Sequence, residues 1–193
     1  MRKALAAILL VFGFIALTGY ALANPDFALG PAIGAQAPSI GTPQDSTGKP
    51  RPLTSLMGDK GVVLVFFRSA AWCPYCQAQL IALSGGQAEI EKRGYRLAAI
   101  SYDQPDVLAA FTAKREIRYP LLSDPKSEVI DRFGLRDPQY PPGSRAYGVP
   151  RPIIFVIGRD GAVRAKLYEE TYKTRPPVGL VVETLEALAK ASP

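Results

Sequence analysis

Apolar positions along the chain form two kinds of pattern, continuous runs and runs at helical spacing. The segment GVVLVFF (61–67) is a continuous, β-branched run, which is typical of a strand buried on both faces of a sheet. Apolar residues at helical spacing follow between Cys73 and Arg93, and Gly94 is expected to end that helix. A second apolar run, YRLAAIS (95–101), then predicts another strand. The folded domain should therefore begin with a strand–helix–strand unit.

The rest of the chain predicts three helices and a hairpin. Two segments, 105–117 and 124–134, have apolar residues at helical spacing and a proline suited to a first helical turn. PIIFVI (152–157) and AVRAKLY (162–168) flank an Asp-Gly pair, which favours a β-hairpin. The last helix is expected to start near Pro177. This order of elements predicts an α/β fold with a central mixed sheet, parallel in part and flanked by helices.

Local signals predict how several of these elements begin and bend. Asp103 and Asp124 are expected at the starts of the two middle helices. Gly85 and Gly86 are expected to loosen the first helix in its middle. Upstream, the sequence is rich in proline, glycine, alanine and polar residues, so it should be extended or looped, with a short strand near Ile40.

The N-terminus has the pattern of a signal peptide. MRK supplies the positive end, a long apolar stretch follows, and ALA ahead of Asn24 is a small-x-small cleavage site, which predicts cleavage near Ala23. The alternative is an uncleaved N-terminal membrane anchor, because the apolar run approaches the ~20 residues that span a bilayer. Either case predicts an extracytoplasmic protein, periplasmic or secreted. We divide the chain into a signal peptide (1–23), an extended N-terminal segment (24–52) and one folded domain (53–193).

Composition and charge narrow the possible functions. The chain has 193 residues, 48% hydrophobic and 21% charged, which is ordinary for one folded domain. The formal net charge of +6 is spread along the chain without a basic cluster, so no nucleic-acid partner is expected. No glycine-rich phosphate loop follows a strand, and nucleotide binding is therefore not expected either.

The two cysteines of the chain lie together in AAWCPYCQAQ (70–79), directly after the first predicted strand. Cys73 is expected at a helix N-terminus, where unpaired N–H groups and the helix dipole favour a thiolate. Pro74 suits the first helical turn. The spacing places Cys76 on the same helix face, so the two sulfurs can close a small disulfide ring. We predict that Cys73 is the nucleophile, with a lowered pKa, and that Cys76 is the resolving thiol.

A metal site and a purely structural disulfide are the alternatives to a redox pair. A structural zinc site needs four ligands, whereas the chain has two cysteines and no histidine, so no metal is expected. A disulfide across so short a loop would constrain the unfolded chain little, which argues against a structural staple. We therefore expect the redox-active group to be the Cys73–Cys76 disulfide itself, with no further cofactor.

The strand VVLVFF, followed by WCPYC and a helix, resembles the thioredoxin superfamily, and most closely its redoxin (AhpC/TSA, peroxiredoxin-like) branch. The resemblance covers most of residues 34–190, including GAQAPSI, SYDQPDVLAAF and GVPRPIIFVIGRDGAV. It implies a thioredoxin-like fold and a cis proline that faces the cysteine pair. Of the two candidates, Pro150 and Pro152, we choose Pro152 because it directly precedes IIFVI.

The chain departs from the family's motifs in two ways. Peroxiredoxins carry Pro-x-x-x-Thr/Ser-x-x-Cys. Counting back from Cys73 places Phe66 and Ala70 at the first two positions, and counting from Cys76 places Ser69 and Cys73 there. Neither register fits, which weakens the case for a peroxidase. Thioredoxins also carry a buried acid on the strand before the motif, where this chain has two phenylalanines.

Four other side chains are candidates to shape the site. Arg68 and Arg151 are expected to bind a polar substrate near the thiolate, with a surface charge as the alternative for each. Trp72 and Tyr75 are expected to form a partner-binding surface, with ordinary packing as the alternative.

Three functions follow in order of preference. The first is an exported thiol–disulfide oxidoreductase that attacks a disulfide-containing protein. The second is a peroxiredoxin-like peroxidase that reduces a hydroperoxide with the same cysteines. In both cases an external thiol or a membrane electron donor would be the redox partner. The third is a non-catalytic thioredoxin-like binding module with a structural disulfide.

Overall fold

The computed structural model describes residues 29–191, so the expected signal peptide and its cleavage site lie outside the described residues. A six-stranded mixed sheet forms the centre. Its strands in chain order are β1 (Gln44–Asp45), β2 (Gly61–Phe66), β3 (Tyr95–Ser101), β4 (Leu121–Ser123), β5 (Ile153–Gly158) and β6 (Val163–Leu167). The helices are α1 (Pro74–Lys92), α2 (Pro105–Arg115), α3 (Glu128–Arg132) and α4 (Val178–Ala191), and a short 3-10 helix spans Leu53–Leu56.

The spatial order of the strands is β1-β4-β3-β2-β5-β6. β3 runs parallel to β2 and β4, whereas β5 is antiparallel to both β2 and β6, and β1 is antiparallel to β4. The α/β fold with a mixed sheet, predicted from the order of the elements, is therefore confirmed. β4 was not predicted, since three residues are too few to show a strand period.

β2 lies in the middle of the sheet, and its alternating side chains face two separate cores. Val63 and Val65 pack with apolar residues of α1, α2 and α4. Val62, Leu64 and Phe66 pack on the other side with α3 and with the segment before β2. Every residue of β2 is buried, as its continuous apolar run predicted.

Several local expectations need correction. Ile40 is buried but is not in a strand; β1 lies further along, at Gln44–Asp45. α3 begins at Glu128 rather than at residue 124, because a turn intervenes. The Asp124 carboxylate nevertheless caps α3 by accepting from the backbone N–H groups of Val129 and Ile130, both at 2.9 Å.

The first helix is continuous through its two glycines, contrary to the expected loosening. A Cβ atom added to Gly86 would lie 2.2 Å from Cγ1 of Val178, at the start of α4. Gly85 has open space around it. Gly86 therefore permits the close approach of α1 and α4 instead of interrupting α1.

None of the helices within residues 29–191 combines the length and the apolar character needed to cross a membrane.

Candidate active site

The loop from β2 to α1 places both cysteines at the N-terminus of α1. Cys73 is the N-cap residue, and its Sγ accepts from the backbone N–H of Cys76 at 3.3 Å. Pro74 occupies the first helical turn, as predicted. Both cysteines are free thiols and are almost completely enclosed, since Cys73 is 2% exposed and Cys76 is 0% exposed. Burial of both sulfurs makes their remaining contacts decisive for their charge.

Cys76 has the contacts that stabilise a thiolate. Its Sγ accepts from the backbone N–H of Arg68 at 3.4 Å and from Nη2 of Arg175 at 3.4 Å. The guanidinium is held in place because its other terminal nitrogen donates to the backbone carbonyls of Tyr172 and Thr174. A permanent positive charge therefore lies against this sulfur.

The two thiols consequently have pKa values shifted in opposite directions. Burial alone would raise the pKa of Cys76, but the hydrogen bond with the Cys73 side chain, a backbone N–H of the Arg68–Ser69 segment and the charge of Arg175 lower it to about 6. The hydrogen bond with Cys76, and then burial, raise the pKa of Cys73 far above its usual value. The role of Cys73 as the nucleophile stays a prediction. The contacts of the Cys76 sulfur with Arg175 and with a backbone N–H favour a thiolate on Cys76 instead.

A buried carboxylate supports the loop that carries the motif. Asp103 accepts from the Ser69 hydroxyl at 2.7 Å, from the Ala70 backbone N–H at 2.6 Å and from the Ser101 hydroxyl at 3.0 Å. Burial raises the pKa of Asp103 in spite of these hydrogen bonds. The residue was expected to start α2, but the N-cap of α2 is Gln104. Asp103 instead connects the end of β3 to the loop before the cysteines.

Arg68 lies beside the cysteine pair, but its guanidinium has other partners. It is buried, forms an ion pair with Asp137 at 3.2 Å and donates to the Tyr140 hydroxyl at 2.7 Å. It also lies over the rings of Trp72, Tyr140 and Tyr172, at 5.4, 4.9 and 4.3 Å from their centroids. The surface-charge alternative is therefore wrong for Arg68. Its backbone N–H, rather than its side chain, contacts the Cys76 sulfur.

The two aromatic residues of the motif both reach the surface, and each lines a different cavity. Trp72 and Tyr75 are each 40% exposed. The Trp72 indole donates to the Tyr102 hydroxyl at 3.0 Å and borders an open cavity of about 700 Å³. The Tyr75 ring packs edge-on against Tyr172 at 6.1 Å. Both side chains are therefore partly packed and partly accessible.

Within residues 29–191, Arg151 and Pro152 form no hydrogen bond with either sulfur. Both line a separate cavity of about 370 Å³ together with Asp137. The peptide bond before Pro152 is trans, so the expected cis proline is wrong. The backbone is extended here, with the Arg151 N–H donating to the Leu135 carbonyl at 2.7 Å, and trans is the more stable form of an ordinary X–Pro bond.

Arg175 was missed by reasoning from the sequence. It lies 99 residues from Cys76, in the segment before α4, and nothing in its neighbourhood resembles a motif. Only the packing of α4 against α1 brings it to the sulfur. Asp103 was noticed in the sequence, but for a different role.

Residues 33–166 match the family model described as the AhpC/TSA family. The chain belongs to the AhpC/TSA family. It is a thiol-dependent oxidoreductase with a thioredoxin-like fold, which confirms the resemblance seen in the sequence.

The relatives of the chain carry peroxiredoxin names. It is 33% identical over 111 residues to Peroxiredoxin Bcp of Escherichia coli, an alignment that covers 58% of this chain and 69% of the relative. It is 29% identical over 136 residues to a putative peroxiredoxin bcp of Haemophilus influenzae, with 70% of this chain and 84% of the relative covered. The crystal structure of peroxidoxin BcpB from Mycobacterium tuberculosis superposes with a TM-score of 0.67 and 27% identity, covering 83% of this chain and 98% of that one.

Proposed function

We propose that this protein is a thiol peroxidase that reduces hydroperoxides with Cys76 as the attacking thiolate and Cys73 as the resolving thiol. The observation that carries the proposal is the environment of the Cys76 sulfur, which faces Arg175 and a backbone N–H and has its pKa lowered to about 6. A thiolate is the reactive form of cysteine, so Cys76 is ready to react at neutral pH. The peroxiredoxin names of the relatives support the same reaction.

The reaction proceeds in two balanced steps. The Cys76 thiolate attacks one peroxide oxygen, the O–O bond breaks, and the alkoxide leaves with a proton as an alcohol or as water. Cys76 is then a sulfenic acid. The thiol of Cys73 attacks the sulfenic sulfur, water leaves, and the Cys73–Cys76 disulfide forms. An external reductant must then supply two electrons and two protons to restore both thiols.

The short distance between the cysteines favours the second step. Cys73 lies one helical turn from Cys76, and the two are already linked by a hydrogen bond from the Cys76 N–H to the Cys73 sulfur at 3.3 Å. Cys73 also occupies the place of the family's Thr/Ser hydroxyl when the motif is counted from Cys76. We infer that Cys73 combines two roles, donating a hydrogen bond to the thiolate and later resolving the sulfenic acid.

Peroxide consumption by wild type and two serine variants tests the proposal. With dithiothreitol as the reductant, Cys76→Ser should abolish consumption, because it removes the attacking sulfur. Cys73→Ser keeps a hydroxyl donor beside Cys76, so it should retain the first step and lose formation of the internal disulfide. Equal consumption by wild type and Cys76→Ser would contradict the proposal.

The disulfide exchange reaction, which the sequence favoured first, is the second candidate. It is supported by the placement of both cysteines on one helical turn, whereas the named relatives favour the peroxidase. Reduction of insulin by dithiothreitol separates the two candidates. If the protein is a peroxidase, it should consume peroxide but leave the rate of insulin reduction unchanged. Clear acceleration of insulin reduction, without peroxide consumption, would reverse our order of preference.

Export remains part of the proposal and rests on the N-terminal pattern alone. A signal peptide ending near Ala23 would place the enzyme outside the cytoplasm, in the periplasm or secreted, with a membrane anchor as the alternative. Mass spectrometry of the protein expressed in a Gram-negative host tests this: export with cleavage predicts a mature chain that begins at Asn24. Recovery of the uncleaved chain in the membrane fraction would support the anchor instead.

A further inference from the structure

The disulfide formed in the proposed cycle must be reduced, and a pocket bordered by Arg175, which contacts the Cys76 sulfur, indicates the chemical class of the reductant. The pocket has a volume of about 290 Å³ and lies between α1 and the segment that precedes α4. On α1 it is lined by Tyr75, Ala78, Gln79 and Ala82; on the other side it is lined by Lys173, Arg175, Pro176, Pro177 and Val178. Because Arg175 also contacts the Cys76 sulfur at 3.4 Å, this one side chain connects the pocket to the reactive centre.

The charge of this pocket is positive. Lys173 and Arg175 both line it, and no acidic side chain is among its lining residues within the described part of the chain. The Lys173 residue is exposed at the pocket rim, whereas Arg175 is half-buried. Such an arrangement attracts a small anion and directs it towards the site.

Two residues that line the pocket each have a buried polar atom without a hydrogen-bond partner among residues 29–191. These atoms are Oε1 of Gln79 and Nε of Arg175. Gln79 is only 7% exposed. Buried polar atoms are nearly always hydrogen-bonded, so the unpaired acceptor of Gln79 and the unpaired cationic donor of Arg175 leave two groups that a ligand could satisfy. The acceptor requires an N–H or O–H donor, and the guanidinium requires an anionic oxygen.

We infer that this pocket binds the reductant, and that the reductant is a small thiol carrying a carboxylate and an amide N–H. The carboxylate would pair with Lys173 and Arg175, and the N–H would donate to Oε1 of Gln79. The volume suits a ligand of only a few residues' size. The inference rests on the proposed Cys73–Cys76 disulfide, because that bond is what the bound thiol reduces.

The chemistry of the step is thiol–disulfide exchange. The sulfur of the bound thiolate attacks Sγ of Cys76, a mixed disulfide forms, and Cys73 leaves and takes up a proton. A second thiol attacks the ligand's sulfur, so a small-molecule disulfide leaves together with the Cys76 thiolate. A leaving thiol with a low pKa departs faster, and hydrogen bonds together with the charge of Arg175 lower the pKa of Cys76. Two thiols are oxidised and one disulfide is reduced.

The test compares two thiols that differ only in charge. The Cys73–Cys76 disulfide is prepared with diamide, and its reduction by N-acetylcysteine and by N-acetylcysteine amide is followed by stopped flow. Each rate is divided by the rate with which the same thiol reduces hydroxyethyl disulfide, which removes differences in intrinsic reactivity. We expect a preference of about tenfold for the carboxylate at low salt, which should shrink as sodium chloride is added.

Two variants of the pocket and one control sharpen the result. Lys173→Gln should reduce the preference for the carboxylate several-fold, whereas Lys126→Gln, at an exposed lysine outside the pocket, should leave it unchanged. Gln79→Met should remove the advantage of N-acetylcysteine over 3-mercaptopropionate, which has the carboxylate but no N–H. Equal normalised rates for the charged and neutral thiols in wild type, or no response to Lys173→Gln, would overturn the inference.

Failure of this inference differs from failure of the proposed function. Since diamide makes the disulfide without peroxide, the thiol preference is measured whether or not the enzyme reduces peroxides. Peroxide turnover with dithiothreitol but no preference for the carboxylate would refute the pocket assignment alone. A carboxylate preference without peroxide turnover would refute the peroxidase alone.

Discussion

Replacing Arg175 should raise the pKa of the Cys76 thiol and reduce the peroxidase rate at neutral pH. The Nη2 atom of Arg175 lies 3.4 Å from the sulfur, and burial alone would keep the thiol protonated. Two opposite charges about 4 Å apart attract by about 4 kcal/mol at an effective dielectric constant near 20. Solvent beside the half-buried arginine reduces this, so we expect a loss of about 1.5–3 kcal/mol. Because one pKa unit corresponds to about 1.36 kcal/mol, the pKa of Cys76 should rise by about one to two units in Arg175→Gln.

The thiolate absorbance at 240 nm, followed from pH 4 to pH 10, measures this shift. The second-order rate of peroxide reduction should show the same shift in its pH profile. Arg175→Lys retains a positive charge and should recover part of the effect, whereas Arg118→Gln, at an exposed arginine, is the matched control. If Arg175→Gln titrates at the same pH as wild type, then Arg175 is not what makes Cys76 a thiolate, and the electrostatic argument is wrong.

Three further predictions concern stability. Gly86→Ala should destabilise the fold by about 1–3 kcal/mol through overpacking against α4. Gly85→Ala, in open space, should stabilise it by about 0.5–1 kcal/mol. Urea unfolding measures both changes, and equal effects would refute the close approach of α1 and α4. Asp103→Asn should cost about 1.5–3 kcal/mol, because the buried carboxylate accepts three hydrogen bonds, and an unchanged midpoint would count against that role. In the reduced protein the pKa of Cys76 is lower than in the unfolded chain, so its ionisation stabilises the fold at pH values above the unfolded thiol pKa. The free energy of unfolding relative to Cys76→Ser should therefore fall by up to about 1.4 kcal/mol per pH unit as the pH drops from 9 to 6. A stability difference between the two proteins that does not depend on pH would contradict this prediction.

The elements with a clear period were predictable from the sequence. β2 and β3 appear as continuous apolar runs, and the β5–β6 hairpin is indicated by its Asp-Gly turn. Elements of two or three residues, such as β1 and β4, have too little sequence to show a period, and they form because neighbouring strands offer hydrogen-bond partners. The location of the cysteine pair at a helix start was predictable for the same reason: strand, proline and helix are all local signals.

The roles of the two cysteines were not predictable in the same way. The helix dipole is a local effect and favours Cys73, and the one charged residue near the motif in the sequence, Arg68, does not distinguish the two thiols. Our assignment of the thiolate to Cys76 rests in part on its contact with Arg175, which the packing of α4 on α1 creates. The role of Asp103 as a hydrogen-bond acceptor was unpredictable for the same reason, because it depends on how the end of β3 meets the loop before α1. Long-range side-chain contacts of this kind carry no periodic signal in the sequence.

The central claim is that Cys76, and not Cys73, attacks the peroxide. Dimedone trapping of the sulfenic acid, followed by mass spectrometry, tests it most directly. One equivalent of hydrogen peroxide is added at pH 7 to the reduced Cys73→Ser and Cys76→Ser variants. Our account predicts a dimedone adduct on Cys76 in the first variant and no adduct in the second. An adduct on Cys73 in Cys76→Ser, with none on Cys76 in Cys73→Ser, would contradict it.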